Sequence, residues 1–145
     1  MYDMQDDIEP LPPDLWFERI EMIATGQLGS TENALRHALH LLQLTPHEFR
    51  PREYGTIDEE SYEALLEAGD LDAAARRLVA APTLTVSTTS SADGVEVAIG
   101  CRTLNKTIFG RGDSVAAAIL QAWTECLFAL ESEFGSSWPN EATGH

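Results

Sequence analysis

The sequence has little positive charge. Its 145 residues include 24 acidic residues but only 9 Lys or Arg, and Lys106 is the single lysine, so the formal net charge is −15. Nonspecific affinity for DNA and RNA comes from basic side chains that neutralise phosphates. The composition therefore disfavours direct binding of nucleic acid. The same surplus of carboxylates would speed the encounter with a protein that has a basic surface.

Cysteine and long apolar runs are scarce as well. Cys101 and Cys126 are the only cysteines, too few for a disulfide framework, although a single bridge between them stays open. The apolar runs are shorter than the roughly 18 residues that a membrane helix needs. The acidic beginning of the sequence has no basic region typical of a secretory signal. These features predict a cytoplasmic protein that does not bind membranes.

The acidic residues are distributed unevenly. Residues 1–80 hold 17 acids and 6 arginines, a net charge of −11, whereas residues 81–145 hold 7 acids and 3 bases, a net charge of −4. Solubility alone would account for an acidic surface. The functional interpretation is that the first half presents a negative face to a cationic partner.

Three short β-rich segments precede a long helix in the second half. The segments are Thr83–Ser87, Val95–Ile99 and Thr107–Phe109, and Gly110–Ser114 is interpreted as a tight turn into the helix. This order predicts a three-stranded antiparallel sheet with one helix on its face. We assign the β-β-β-α module to residues 82–134.

Helical spacing and capping residues predict a cluster of five short helices before the sheet. The cluster is acidic, covers residues 14–81 and follows an acidic, flexible lead at residues 1–13. Asp58 is a predicted N-cap, and Thr45-Pro46-His47-Glu48 has the form of a capping box. The predicted fold is α+β, with the N-terminal helices packed on the C-terminal sheet and long helix. Residues 135–145 are predicted to form a flexible tail.

The last helix is predicted to bury one broad face, which includes Trp123 and Cys126. At about 100° per residue, Gln121, Thr124 and Phe128 fall on the opposite face, which is expected to contact water. Phe128 is then a candidate apolar anchor for a partner or for a second copy of the chain. The alternative is that a neighbouring element covers it.

The clearest candidate binding residues are acidic. Five of them lie close together on a predicted surface helix: Asp58, Glu59, Glu60, Glu63 and Glu67. No motif of catalytic residues accompanies them, so the sequence predicts neither an enzyme nor a cofactor. His37 and His40 lie three residues apart and would need a third ligand to hold zinc. Solvated helix histidines are the commoner explanation of such a pair.

Residues 93–122 resemble the HicB-type antitoxin domain and similar small phage or prophage modules. The matching features are the turn Asp93-Gly94, the strand Val95–Ile99, and Gly112-Asp113-Ser114 before an alanine-rich helix that includes Ala122. The resemblance implies a β-β-β-α core that acts without catalysis. It also implies a small toxin ribonuclease as the partner.

A second segment, residues 35–69, resembles a degraded repressor-type helix-turn-helix. Leu44-Thr45, Glu48-Phe49 and Glu67-Ala68-Gly69 are among the matching residues. The resemblance implies a DNA-binding regulator in which the second helix reads bases in the major groove. That helix holds five acids and no base, and an accidental match is the alternative.

The leading functional hypothesis is a non-enzymatic acidic module that binds another protein. It would cover a basic surface of its partner, as an antitoxin or an anti-defence inhibitor of a phage or mobile element does. The alternatives are a helix-turn-helix transcriptional regulator and a structural or assembly subunit. The sequence also leaves a homodimer open.

Overall fold

The computed structural model describes residues 12–43, 58–80 and 84–134. The first four helices are α1 (Pro13–Ala24), α2 (Thr31–Gln43), α3 (Glu59–Glu67) and α4 (Leu71–Leu78). They are followed by β1 (Leu84–Ser91), β2 (Gly94–Cys101), β3 (Lys106–Gly112) and α5 (Val115–Phe134). The predicted α+β fold is confirmed. The predicted capping box at 45–48, most of the lead and the tail lie outside the described residues.

The sheet is antiparallel with the strand order β1-β2-β3. β1 and β2 pair without a break from Leu84 opposite Cys101 to Ser91 opposite Gly94. β3 continues to Gly112, which lies opposite Val95. The prediction that the third strand ends at Phe109 is therefore wrong. The turn that was predicted to begin at Gly110 begins at Asp113, three residues later.

Close packing of α5 explains why glycines stand in β3. A Cβ atom on Gly110 would lie 2.4 Å from the backbone nitrogen of Ala122 and 2.5 Å from the carbonyl oxygen of Ala118. A Cβ atom on Gly112 would lie 2.7 Å from that of Ala117. The helix thus rests directly on the strand backbone, and alanines on its underside permit the approach.

Neighbours surround α5 on nearly every side. It packs on β2 and β3 below and on α1, α2 and α4 above. Thr124 is fully buried, and its hydroxyl donates to the carbonyl of Gln121 at 2.9 Å. Phe128 is half-buried, with its ring centroid 6.0 Å from that of Phe17. The expected wet face is wrong at Thr124 and at Phe128, which Phe17 of α1 covers as the alternative stated, whereas Gln121 is exposed as expected.

A carboxylate from α4 holds the beginning of α5. Asp72 accepts a hydrogen bond from the backbone N–H of Ala116 at 2.9 Å, and Ser114 accepts one from Ala117 at 3.1 Å. The first N–H groups of a helix have no partner inside the helix, and its N-terminus favours negative charge. The bond to Asp72 connects the helical half of the chain to the sheet half, and the bond to Ser114 is a local cap of α5.

Two aromatic side chains fasten the other helices to α2. The indole N–H of Trp16 in α1 donates to the carbonyl of Leu41 at 2.8 Å. The hydroxyl of Tyr62 in α3 donates to the carbonyl of Leu35 at 2.7 Å. All four residues are buried, so each donor finds its partner within the core.

In the described ranges, no helix combines the length and the apolar character needed to cross a membrane.

Candidate functional site

Helix α3 is oriented by the side chains it buries. Tyr62 and Leu66 are buried against the core, and the acids lie on the side of the helix next to this buried face. At about 100° per residue, four of those acids fall within an arc of roughly 100°. They are Glu59, Glu60, Glu63 and Glu67. Four of the five sequence-predicted carboxylates therefore lie on one side of a fixed helix, and the fifth, Asp58, is at its N-cap.

Glu63 differs from the other acids because an arginine neutralises it. Arg36 of α2 forms an ion pair with Glu63 and a second one with Glu32 at 2.8 Å. The side chains of Arg36 and Glu63 are only about one-third exposed, 36% and 38%. Glu63 thus joins α3 to α2. The prediction that it belongs to a free row of carboxylates loses its support.

The remaining four acids form what we call the exposed acidic row: Asp58, Glu59, Glu60 and Glu67. All four are exposed, and none makes an ion pair within the described part of the chain. Asp58 occupies the predicted N-cap position, and its carboxylate accepts the hydroxyl of Ser61 at 2.6 Å. This bond, with smaller effects from the backbone N–H groups of Glu60 and Ser61 and from the charge of Arg77, lowers the pKa of Asp58 below its ordinary value. Glu59 accepts a bond from the amide of Gln43 at 3.2 Å.

The surroundings of the exposed acidic row are also negative. Residues 58–80 contain 7 acids and 2 arginines, a net charge of −5. The two arginines, Arg76 and Arg77, lie exposed near the end of α4, where they complement the negative end of that helix. The patch as a whole attracts cations and repels phosphates.

Phe128 is not part of this patch. It packs against Phe17 of α1, whereas α3 packs on α2 and α4. A half-buried ring that already contacts another ring has less surface to offer a partner. Its proposed role as an anchor therefore has no geometric support.

Sequence reasoning missed a different aromatic residue. Phe109 in β3 is 60% exposed, on the face of the sheet that points away from α5. The signal was available, because Ile108 faces the helix and alternation along a strand turns the next side chain outward. Its cross-strand neighbour on β2 is Ala98, whose small side chain covers little of the ring.

The histidines do not build a metal site in the described residues. Within those ranges no group of three or more His, Cys, Asp or Glu side chains could hold a metal ion. Nε2 of His37 is buried and has no hydrogen-bond partner in the described part of the chain. Burial, with smaller effects from Arg19 and His40, lowers the pKa of His37, which favours its neutral form. His47 lies outside the described residues.

The two cysteines meet in the core. Cys101 at the end of β2 and Cys126 in α5 are both buried and both reduced. Their thiols hydrogen-bond to each other, and this bond together with burial raises the pKa of Cys126 well above its ordinary value. A thiol in this state is a poor nucleophile, because the thiolate is the reactive form.

We therefore expect both native thiols to resist Ellman's reagent at mildly alkaline pH and to react after denaturation in guanidinium chloride. A Thr107→Cys variant supplies the matched control, because Thr107 is exposed on β3. Its one added thiol should react at once while the native pair stays protected. Rapid reaction of two thiols in the native wild-type protein would contradict the burial described here.

The exposed acidic row is the one described arrangement with an evident chemical use, which is to pair with Lys and Arg side chains of another molecule. No protein-family model, curated protein or solved structure matches this chain.

Proposed function

We propose that this protein is a non-enzymatic binding module whose exposed acidic row covers a basic surface of another protein. The observation that carries the proposal is the set of four exposed carboxylates, three of them on one side of α3 and Asp58 at its N-cap, none paired with an arginine in the described residues. Lys and Arg side chains of a partner would form ion pairs with these carboxylates. Such binding blocks the partner's basic surface, which is how an inhibitor acts on a protein that handles nucleic acid.

Electrostatics would contribute mainly to the rate and the selectivity of binding. Each exposed ion pair stabilises a complex by about 1 kcal/mol or less. Several pairs on one surface still add up, and a negative patch accelerates the approach of a positive one. Added salt screens both effects, so the complex should weaken as ionic strength rises.

The way α3 is held favours this role. Tyr62 donates to α2, Leu66 is buried, and Arg36 ties Glu63 to α2, so the backbone beneath the acids is fixed before a partner arrives. Ordering a loop or helix on binding costs free energy that a preorganised surface avoids. The partner class follows from the antitoxin-like resemblance of residues 93–122, which implies a small toxin enzyme.

The regulator alternative receives less support. A recognition helix contacts phosphates and bases through basic and polar side chains. Helix α3 contains no Lys or Arg. Residues 44–57, which contain the turn of the predicted helix-turn-helix, lie outside the described residues.

Charge reversal on α3 tests the proposal. A Glu59→Lys, Glu60→Lys, Glu67→Lys triple variant should bind the partner about 10–100-fold more weakly than wild type, since three favourable pairs become repulsive. The partner is obtained by pull-down from host lysate at low salt, and affinities are then measured by titration calorimetry. Variants with Gln at the same three positions should show a smaller loss.

The matched control reverses three exposed acids of α5: Glu125→Lys, Glu131→Lys and Glu133→Lys. It changes the net charge by the same amount and should leave affinity within about twofold of wild type if the site is local. Circular dichroism checks that each variant is folded. Equal binding by the α3 triple variant and wild type would remove the exposed acidic row as the binding site.

A further inference from the structure

The two edges of the sheet are not alike. At the β3 edge, the side chain of Gln121 in α5 accepts a hydrogen bond from the backbone N–H of Arg111. This edge also carries two charged side chains, Lys106 and Arg111. Side-chain cover and charge are two of the ways in which proteins keep an edge strand from pairing with another chain. The β3 edge is therefore closed.

Among the described residues, the β1 edge lacks these devices. β1 is eight residues long, Leu84–Ser91, and contains no charged residue and no proline. Its register with β2 is continuous over all eight positions, so no bulge turns the edge away. Of the helices and strands in the described chain, β2 is the main neighbour of β1. A long, regular and uncharged edge strand is a template for pairing with a further strand.

The inner face of β1 is also incompletely covered. α5 lies over β3 and β2, and it does not extend over β1 to a similar degree. Leu84 and Val86, which point to the side of α5, remain half-buried, and Thr88 on the same side is exposed. The apolar layer under the helix thus ends partway across this strand.

Charge favours a second copy of the chain at this edge. Two molecules with a net charge of −15 repel each other over most of their surface. β1 carries none of the 24 acids, so contact there brings the fewest like charges together. Its Thr and Ser side chains suit pairing with themselves, because Thr–Thr and Thr–Ser pairs across strands form favourable hydrogen bonds.

We propose that β1 is a homodimer interface, at which β1 of a second copy pairs antiparallel to it around a two-fold axis. The two sheets become one continuous six-stranded sheet, with α5 of both copies on the same face when the axis is normal to the sheet. The same patch then serves both partners, as two-fold symmetry requires. Leu84 and Val86 of the two copies extend the apolar layer across the junction.

This interface is separate from the exposed acidic row, because α3 packs on α2 and α4 and not on β1. The dimer would carry two acidic patches and could hold two partners. Failure of one proposal leaves the other intact: variants in α3 should not change the oligomeric state, and variants in β1 should not change the intrinsic affinity for a basic partner.

Sedimentation equilibrium over a wide concentration range tests the dimer. Ser87 is exposed near the middle of β1, where a two-fold axis brings both copies of the residue close together. Ser87→Lys should weaken dimerisation at least about tenfold, because like charges then face each other across the junction. The control is Thr107→Lys, an exposed position on the closed β3 edge with the same change in charge, which should dimerise as wild type does.

Cross-linking supplies an independent readout. Under mild oxidation by copper phenanthroline, Ser87→Cys should give a covalent dimer, whereas Thr107→Cys should remain monomeric on a denaturing gel. The native thiols are buried and do not compete. A wild-type protein that is monomeric at every concentration would overturn the proposal. So would a dimer that Ser87→Lys leaves unchanged and that Ser87→Cys does not cross-link.

Discussion

Replacement of Gly110 by alanine is expected to destabilise the fold by about 2–3 kcal/mol, although it adds a single methyl group. The new Cβ would lie 2.4 and 2.5 Å from backbone atoms of α5, well inside the distance at which atoms repel. Backbone atoms cannot rotate out of the way, so the helix must move off the strand. Chemical denaturation with urea, followed by circular dichroism, measures the loss.

Gly100→Ala is the matched control, since Gly100 is also a strand residue, in β2. The Cβ of an alanine there would lie 2.6 Å from the hydroxyl of Thr85, a side chain that can change rotamer. Its cost should stay below about 1 kcal/mol. Trimming Ala122 to glycine should fail to rescue Gly110→Ala, because the collision is with the backbone. A cost for Gly110→Ala no larger than that of Gly100→Ala would show that α5 lies farther from β3 than described.

Tyr62→Ala is expected to cost about 3–5 kcal/mol, because it empties a large buried volume and leaves the Leu35 carbonyl without its donor. Tyr62→Phe keeps the ring and removes only the hydrogen bond, so its cost should be about 1 kcal/mol. The difference between the two variants separates packing from hydrogen bonding. Thermal or urea unfolding of both proteins provides the measurement.

The same pair of variants connects stability with binding. Tyr62 fixes α3, so Tyr62→Phe should bind a basic partner as wild type does, and Tyr62→Ala should bind more weakly even where it is still folded. Glu60→Ala is the control on the exposed side of α3 and should change stability by no more than about 0.5 kcal/mol. If Tyr62→Ala were as mild as Tyr62→Phe, the ring would not be the anchor of this helix.

The hairpin of the sheet was predictable because its signal is local. Asp93-Gly94 between two β-rich runs indicates a tight turn, and Gly94 adopts a φ of +128°, which other residues rarely reach. The register of β1 and β2 follows from this turn. The start of α3 was likewise predictable, since the predicted N-cap Asp58 immediately precedes its first residue, Glu59.

The errors concern contacts between distant parts of the chain. Helical periodicity places Phe128 and Thr124 opposite the main apolar stripe, but it does not reveal that α1 covers that side. Gly110 was assigned to a turn because glycine is common in turns, whereas the structure uses it to admit a helix. In both cases the deciding neighbour comes from another element.

The same difference between local sequence patterns and long-range contacts applies to the candidate site. The sequence placed five acids close together on a surface helix, and the structure has four of them on one side of α3 and Asp58 at its N-cap. The neutralisation of Glu63 was not predictable, because Arg36 precedes it by 27 residues and only the packing of α2 on α3 brings them together. Local patterns thus locate the charges, and tertiary contacts decide which of them remain available.

The carboxylate of Asp72 on the first turn of α5 bears on how this protein can vary in evolution. Its acceptor atom comes from the helical half and its donor from the sheet half, 44 positions later in the chain. A gene fusion that exchanged either half would leave that helix end without its acidic neighbour. The two halves are therefore expected to be inherited together, because recombination between them would remove this hydrogen bond and destabilise the fold.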